Sequence, residues 1–121
     1  MSLLREKSAL NQDLFNALAD PTRRSIIELL ATKGQMGATD IYDNFDISNP
    51  AVSQHLKVLR EAELVQMEKS AQKRLYRLNS RTMHNLEDWV KRTTQHWDER
   101  FDKLDSLLEA EKQKAEKKMR R

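Results

Sequence analysis

Residues 49–59 read Asn49-Pro50-Ala51-Val52-Ser53-Gln54-His55-Leu56-Lys57-Val58-Leu59, and this stretch decides the fold. Proline at the first helical position loses nothing, because that N–H has no intrahelical partner, and Asn49 before it is a good cap. A helix is therefore expected from Pro50 to about Ala62. Val52, Leu56 and Leu59 follow at spacings of 4 and 3, which aligns them on the face that seeks a core. Advancing about 100° per residue sets Gln54 roughly opposite that stripe, with Pro50, Ser53, Lys57 and Glu61 nearby and His55 on a flank. One side of the helix is apolar; the other carries small, amide and cationic side chains.

The same punctuation organises the chain on either side. Asp20-Pro21 marks another helix start, and Ile26, Ile27, Leu29 and Leu30 carry that helix to about Thr32. Ahead of it, Leu10, Leu14, Phe15 and Leu18 form one face of an amino-terminal helix. The two glycines, Gly34 and Gly37, fall where a C-cap and a loop are expected. A short helix over Ala38–Asn44 turns Ile41 and Phe45 inward. The period then changes. Leu64–Glu68 and Arg74–Leu78 alternate at Val65, Met67 and at Tyr76, Leu78, which predicts a two-stranded hairpin with a polar, basic loop over Lys69–Lys73.

From residue 82 to about 117 the sequence has no Gly or Pro. Leu86, Val90, Thr93, Trp97, Phe101, Leu104 and Leu108 recur about every 3.7 residues, a helical stripe that Trp89 and Leu107 widen. A compact head of about 80 residues cannot cover such a stripe. A second copy of the chain is the expected cover; the alternative is that the helix folds back as a lid. The last eleven residues hold six Lys/Arg and two Glu and are expected to form a solvated tail.

Composition sets the limits. At 121 residues the chain is expected to be one domain, residues 1–121, with a core over 10–80 and a helix over 82–117. Charged residues reach 34% against a usual ~25%. The absence of Cys excludes disulfides, thiolate zinc sites and iron–sulfur clusters. No apolar run approaches the ~18 residues of a membrane helix. The start, Met1-Ser2-Leu3-Leu4-Arg5, lacks a signal-peptide stretch, so a cytoplasmic protein with no membrane partner is expected. The net charge of +3 says little as an average. From Lys57 to Arg77, however, six cations (Lys57, Arg60, Lys69, Lys73, Arg74, Arg77) face three Glu.

Three helices, a longer fourth and a hairpin give the order of a winged helix-turn-helix domain, mainly α with a small β-hairpin. The run Leu18-Ala19-Asp20-Pro21-Thr22-Arg23-Arg24, the stretch 49–59 and Arg74-Leu75-Tyr76-Arg77-Leu78 resemble the ArsR-type repressors, small winged-helix homodimers. The resemblance covers about residues 12–80. It implies a homodimeric, sequence-specific DNA-binding regulator, a repressor on a palindromic double-stranded operator, with the long C-terminal helix serving dimerisation. A winged-helix protein-interaction module without DNA binding is the competing class.

The residues agree with that implication. Gln can pair with adenine, Ser can serve a base or a phosphate, and Lys is a phosphate contact. Asn49, Ser53, Gln54, His55 and Lys57 are the expected reading residues. Lys69, Lys73 and Arg74 are the expected wing contacts along the phosphate backbone. Two departures from the family pattern bear on the wing: Gln72-Lys73 stands where Gly-Arg is common, and Glu63 stands where Gly is common. A longer or less sharply turned loop is therefore expected. Leu10, Leu14, Leu18, Leu86, Trp89, Val90, Trp97, Phe101, Leu104 and Leu108 are the expected dimer interface.

Some relatives carry a metal site of the form Asp-x-His-x10-His-x-x-Glu/His on this helix. His84 and His96 resemble it, which leaves a metal-responsive repressor as another alternative. Thr82 replaces the Asp, however, and the His–His interval is one residue longer; that residue rotates one ligand by about 100°. No metal and no cofactor are expected. No nucleophilic Cys, phosphate-binding glycine loop or His-Glu-x-x-His occurs, and an enzyme is not expected. No inducer can be read from the sequence.

Overall fold

The computed structural model describes residue 10 and residues 12–119. Among these residues five helices and three strands follow in the order α1 (Gln12–Leu18), α2 (Pro21–Lys33), β1 (Gln35–Gly37), α3 (Ala38–Tyr42), α4 (Asn49–Glu61), β2 (Val65–Ser70), β3 (Lys73–Leu78) and α5 (Ser80–Met119). Two compact units result, divided between Leu86 and Glu87. The fold is mainly helical with a small sheet and a long C-terminal helix, as the sequence predicts.

Local chemistry fixes the helix ends. Asp20 caps α2, its Oδ2 accepting the Arg23 amide at 3.0 Å. At the other end Gly34 sits at φ 87°, and its N–H donates to the Leu30 carbonyl at 2.8 Å, a geometry that favours glycine. The cap of α4 corrects the sequence-based expectation. Ser48 holds that position, its Oγ accepting the Ala51 amide at 3.3 Å, and Asn49 is already helical. Ser and Asn are about equally good caps, so the adjacent pair Ser48-Asn49 left the position undetermined within one residue.

The sheet is larger than expected. Residues Gln35–Gly37 form a third strand in the order β1-β3-β2, all antiparallel. Three residues are too few to display a period, and the two glycines signalled a loop. Met36 and Met67 flank Tyr76 in register, so one sheet face is apolar at its centre, where Tyr76 is buried. Beneath it Leu14, Ile26, Leu30, Ile41, Val52, Leu56, Leu59 and Leu64 form a single core.

The wing also departs from expectation. Ser70 pairs with Lys73, so Ala71-Gln72 is a two-residue turn rather than a long loop, with Ala71 at φ 57°. Glu63 likewise lies at φ 60°. It follows α4 in a Schellman arrangement: its N–H donates to the Arg60 carbonyl at 3.0 Å, and the Leu64 N–H to the Leu59 carbonyl at 3.0 Å. Both are positions that glycine favours. The turn and the sharp exit survive without glycine because paired strands and the helix end over-determine the backbone.

The second unit is helical throughout its described residues, where the last eleven residues, 111–121, were expected to form a solvated tail. Helix α5 begins at Ser80 and continues to Met119. Every side chain from Glu87 to Met119 is exposed, including Trp97 at 62% and Leu107 at 65%. The Trp97 and Phe101 rings meet with centroids 5.8 Å apart.

Candidate nucleic-acid interface

The two faces of α4 separate as the period predicts. Val52, Leu56 and Leu59 are buried, whereas Asn49, Pro50, Gln54, Lys57 and Glu61 are exposed and Ser53 and His55 are half-buried. Three exposed polar or cationic side chains, Asn49, Gln54 and Lys57, thus share one surface over about the first two and a half turns, on a helix whose inner face is locked in the core.

His55 is held from outside its own helix. The Arg23 Nη1 lies 3.2 Å from the His55 Nδ1, and the Asp20 Oδ2 lies 4.0 Å from the same nitrogen. Arg23 also donates through Nε to the Ala17 carbonyl at 2.8 Å and through Nη2 to the Asn16 carbonyl at 3.0 Å. One guanidinium thereby joins the end of α1, the start of α2 and α4. The Arg23 amide is the main cause holding the Asp20 carboxyl below its ordinary range; His55 and the Arg23 charge act in the same direction, and desolvation opposes them. Sequence reasoning saw Asp20 as a cap and missed this use of Arg23, since the partners lie six and 32 residues away.

The wing gathers charge in register. Lys69 stands directly opposite Arg74, one step below the turn pair Ser70 and Lys73; Lys69, Lys73 and Arg74 are all exposed. Like charges directly across a sheet are destabilising, so the register of this tip costs the hairpin some stability. An open cleft of about 720 Å³ lies between α4 and the strands, lined by Lys57, Arg60, Glu61, Gln66, Glu68 and Arg77 among others. The Arg77 Nε donates to the Gln66 Oε1 at 3.2 Å. Arg60 and Arg77 were counted among the six cations but assigned no role. The i, i+3 spacing of Lys57 and Arg60 was the signal that they share a helix face.

Residues 20–67 match the family described as bacterial regulatory protein, arsR family. The transcriptional repressor SdpR of Bacillus subtilis (strain 168) is 38% identical over 78 residues, 64% of this chain and 86% of that protein. The chain belongs to the ArsR family. The arsenical resistance operon repressor of Staphylococcus xylosus is 35% identical over 77 residues, 64% of this chain and 69% of that one. Among solved structures, the ArsR-like transcriptional regulator from Rhodococcus sp. RHA1 shares the fold, with a TM-score of 0.71 at 24% identity, covering 81% of this chain and 89% of that one. ArsR-family proteins are winged-helix transcription regulators and not enzymes.

The expected interface residues divide between the two units. Leu14 is buried in the core of its own unit, and Leu10, Leu18 and Leu86 are half-buried against it. Trp89, Val90, Trp97, Phe101, Leu104 and Leu108 are exposed large apolar side chains on α5. His84 and His96 are both exposed. No group of three or more His, Cys, Asp or Glu that could hold a metal ion occurs among the described residues. Nor is any helix among them long and apolar enough to cross a membrane.

Proposed function

We propose that this ArsR-family chain is a homodimeric, sequence-specific repressor that binds a palindromic DNA operator. The carrying observation is the outer face of α4, where exposed Asn49, Gln54 and Lys57 flank half-buried Ser53 and His55. Gln54 would read a base edge in the major groove, and Lys57 would hold a phosphate. Lys69, Lys73 and Arg74 would lie along the adjacent backbone. The relatives named as repressors support this direction of regulation.

The second copy would cover the stripe of Leu86, Trp89, Val90, Trp97, Phe101, Leu104 and Leu108, with Leu10 and Leu18 joining from the amino-terminal helix and Leu14 supporting it from beneath. Pairing would set two α4 helices about 34–36 Å apart, one turn of DNA. The winged head and the helix would act as one functional domain in the cytoplasm. The test is a gel shift and footprint on DNA upstream of the chain's own coding region at low salt. A two-fold footprint with two half-sites one turn apart is expected. No shift at low salt would remove the repressor function and leave a protein-interaction module.

A further inference from the structure

The bond between Arg23 and His55 sets the proton position on a ring that belongs to the proposed DNA face. A guanidinium has only donors and stays charged across the working pH range. With the Arg23 Nη1 3.2 Å away, the His55 Nδ1 must therefore accept. A neutral imidazole that accepts at Nδ1 carries its proton at Nε2. Asp20 offers no competing acceptor at bonding range: its Oδ2 is 4.0 Å from Nδ1 and receives the Arg23 amide at 3.0 Å. The ring is part of a partly exposed side chain, 23% accessible, on the flank of the face that bears Gln54. With Nδ1 occupied, Nε2–H is its remaining polar group.

We propose that Arg23 is a positioning residue for DNA binding, one that fixes His55 as a neutral Nε2–H donor to an acceptor oxygen of the DNA backbone. The proposal rests on the DNA-binding function proposed above and adds the polarity and charge of one contact. A flank position at the edge of the reading face favours a phosphate oxygen over a base edge. Because the donor is neutral, the contact strengthens binding without releasing a counterion of its own. That property separates it from Lys57 and Arg74, whose loss changes the salt dependence.

The experiment is a double-mutant cycle with a direct reading of the proton. Gln at position 55 carries an amide N–H whatever group stands at position 23. Arg23→Gln is expected to weaken operator binding roughly three- to tenfold in the His55 background, the worth of about one hydrogen bond. In the His55→Gln background it is expected to change nothing. His55→Ala should lose a similar factor on operator and on unrelated DNA with an unchanged salt slope; a loss confined to the operator would move the acceptor to a base and overturn the backbone assignment. Nitrogen-15 NMR of the free wild-type protein at neutral pH should find Nδ1 bare and Nε2 protonated. A proton on Nδ1, or an equal loss from Arg23→Gln in both backgrounds, would overturn the proposal and leave Arg23 as a brace. A wild-type chain that binds no DNA would instead overturn the proposed function, while the NMR result would stand on its own.

Discussion

Arg74→Gln is expected to move stability and DNA affinity in opposite directions. Lys69 and Arg74 are register partners across β2 and β3, which puts their side chains on one face with Cβ atoms roughly 4.5–5.5 Å apart. Among the described residues neither has a carboxylate partner. Two unit charges about 6–8 Å apart in water repel by roughly 0.5–0.7 kcal/mol, and salt near 0.15 M reduces that further. Gln keeps the length and removes the charge, so the hairpin should gain a few tenths of a kcal/mol. On DNA the change has the other sign. Each lost phosphate contact lowers the slope of log affinity against log salt by about 0.9.

A dimer carries two copies of Arg74, so its slope should become shallower by about 1.8. Between 50 and 200 mM salt that amounts to roughly a tenfold difference in how far the affinity falls. Fluorescence anisotropy titrations at several salt concentrations measure the slope, and urea melts measure the stability. An unchanged slope would take the wing away from the phosphates. A loss of stability above about 0.5 kcal/mol would mean that Arg74 makes a favourable contact in the free protein, against the reasoning from register.

Gln54→Ala should cost about 1–3 kcal/mol of operator affinity and relax base preference at one position of each half-site; equal affinity across a base-substitution series before and after the change would refute the assignment. Trp97→Glu places a charge in the exposed stripe and should yield monomers in sedimentation velocity, whereas an intact dimer would remove that part of α5 from the interface. Glu63→Gly relieves a left-handed backbone worth about 1–2 kcal/mol and returns roughly 0.5–1 of it as glycine's extra chain entropy, so the midpoint in urea should rise slightly or hold, and a fall would contradict the strain. The depressed carboxyl of Asp20 stabilises the fold at pH above its ordinary value of 3.8 and loses that contribution as the pH falls through its lower folded value. Asp20→Asn should accordingly flatten stability against pH in the acid range below about 4, and an unaltered acid limb would refute it.

The parts of the fold that were legible in the sequence are those whose signals repeat. Val52, Leu56 and Leu59 fix the inner face of α4 through their period, and the run from Leu86 to Leu108 fixes α5 over many turns. The parts that were not legible depend on single residues or on distant partners. Strand β1 is three residues long and exists because the free edge of β3 pairs with it, a tertiary effect with no local signature. The missing glycines argued for a loose wing, yet Ala71 and Glu63 take up positive φ, because the cost is small beside what the paired strands and the helix end supply. The carboxyl-terminal basic run reads as a tail by composition alone, but Lys, Glu, Gln and Ala are all strong helix formers, and the helix simply continues. In the site, the outward residues of α4 followed from arithmetic on its period. The bond from Arg23 to His55 spans 32 positions, and no spacing rule within one element reaches that far.

The proposed reading face and most of the proposed pairing stripe lie in different units of the chain, and that separation makes them experimentally separable. The residues proposed to contact DNA, from Asn49 to Arg74, belong to the unit that ends at Leu86; most of the apolar stripe belongs to the one that begins at Glu87. The core of the first unit is complete without α5 beyond Leu86, so a monomer made by Trp97→Glu should keep its head folded. Such a monomer retains every cation of one head and none of the second. Its salt slope should therefore fall to about half that of the dimer, because the slope counts phosphate contacts. Its operator affinity should fall by roughly 10²–10⁴-fold, since the second head no longer binds as part of the same molecule. A full slope in a proven monomer would mean that one head makes all the phosphate contacts. In that case the second head would add no phosphate contacts, and pairing would not bring two heads onto the DNA together.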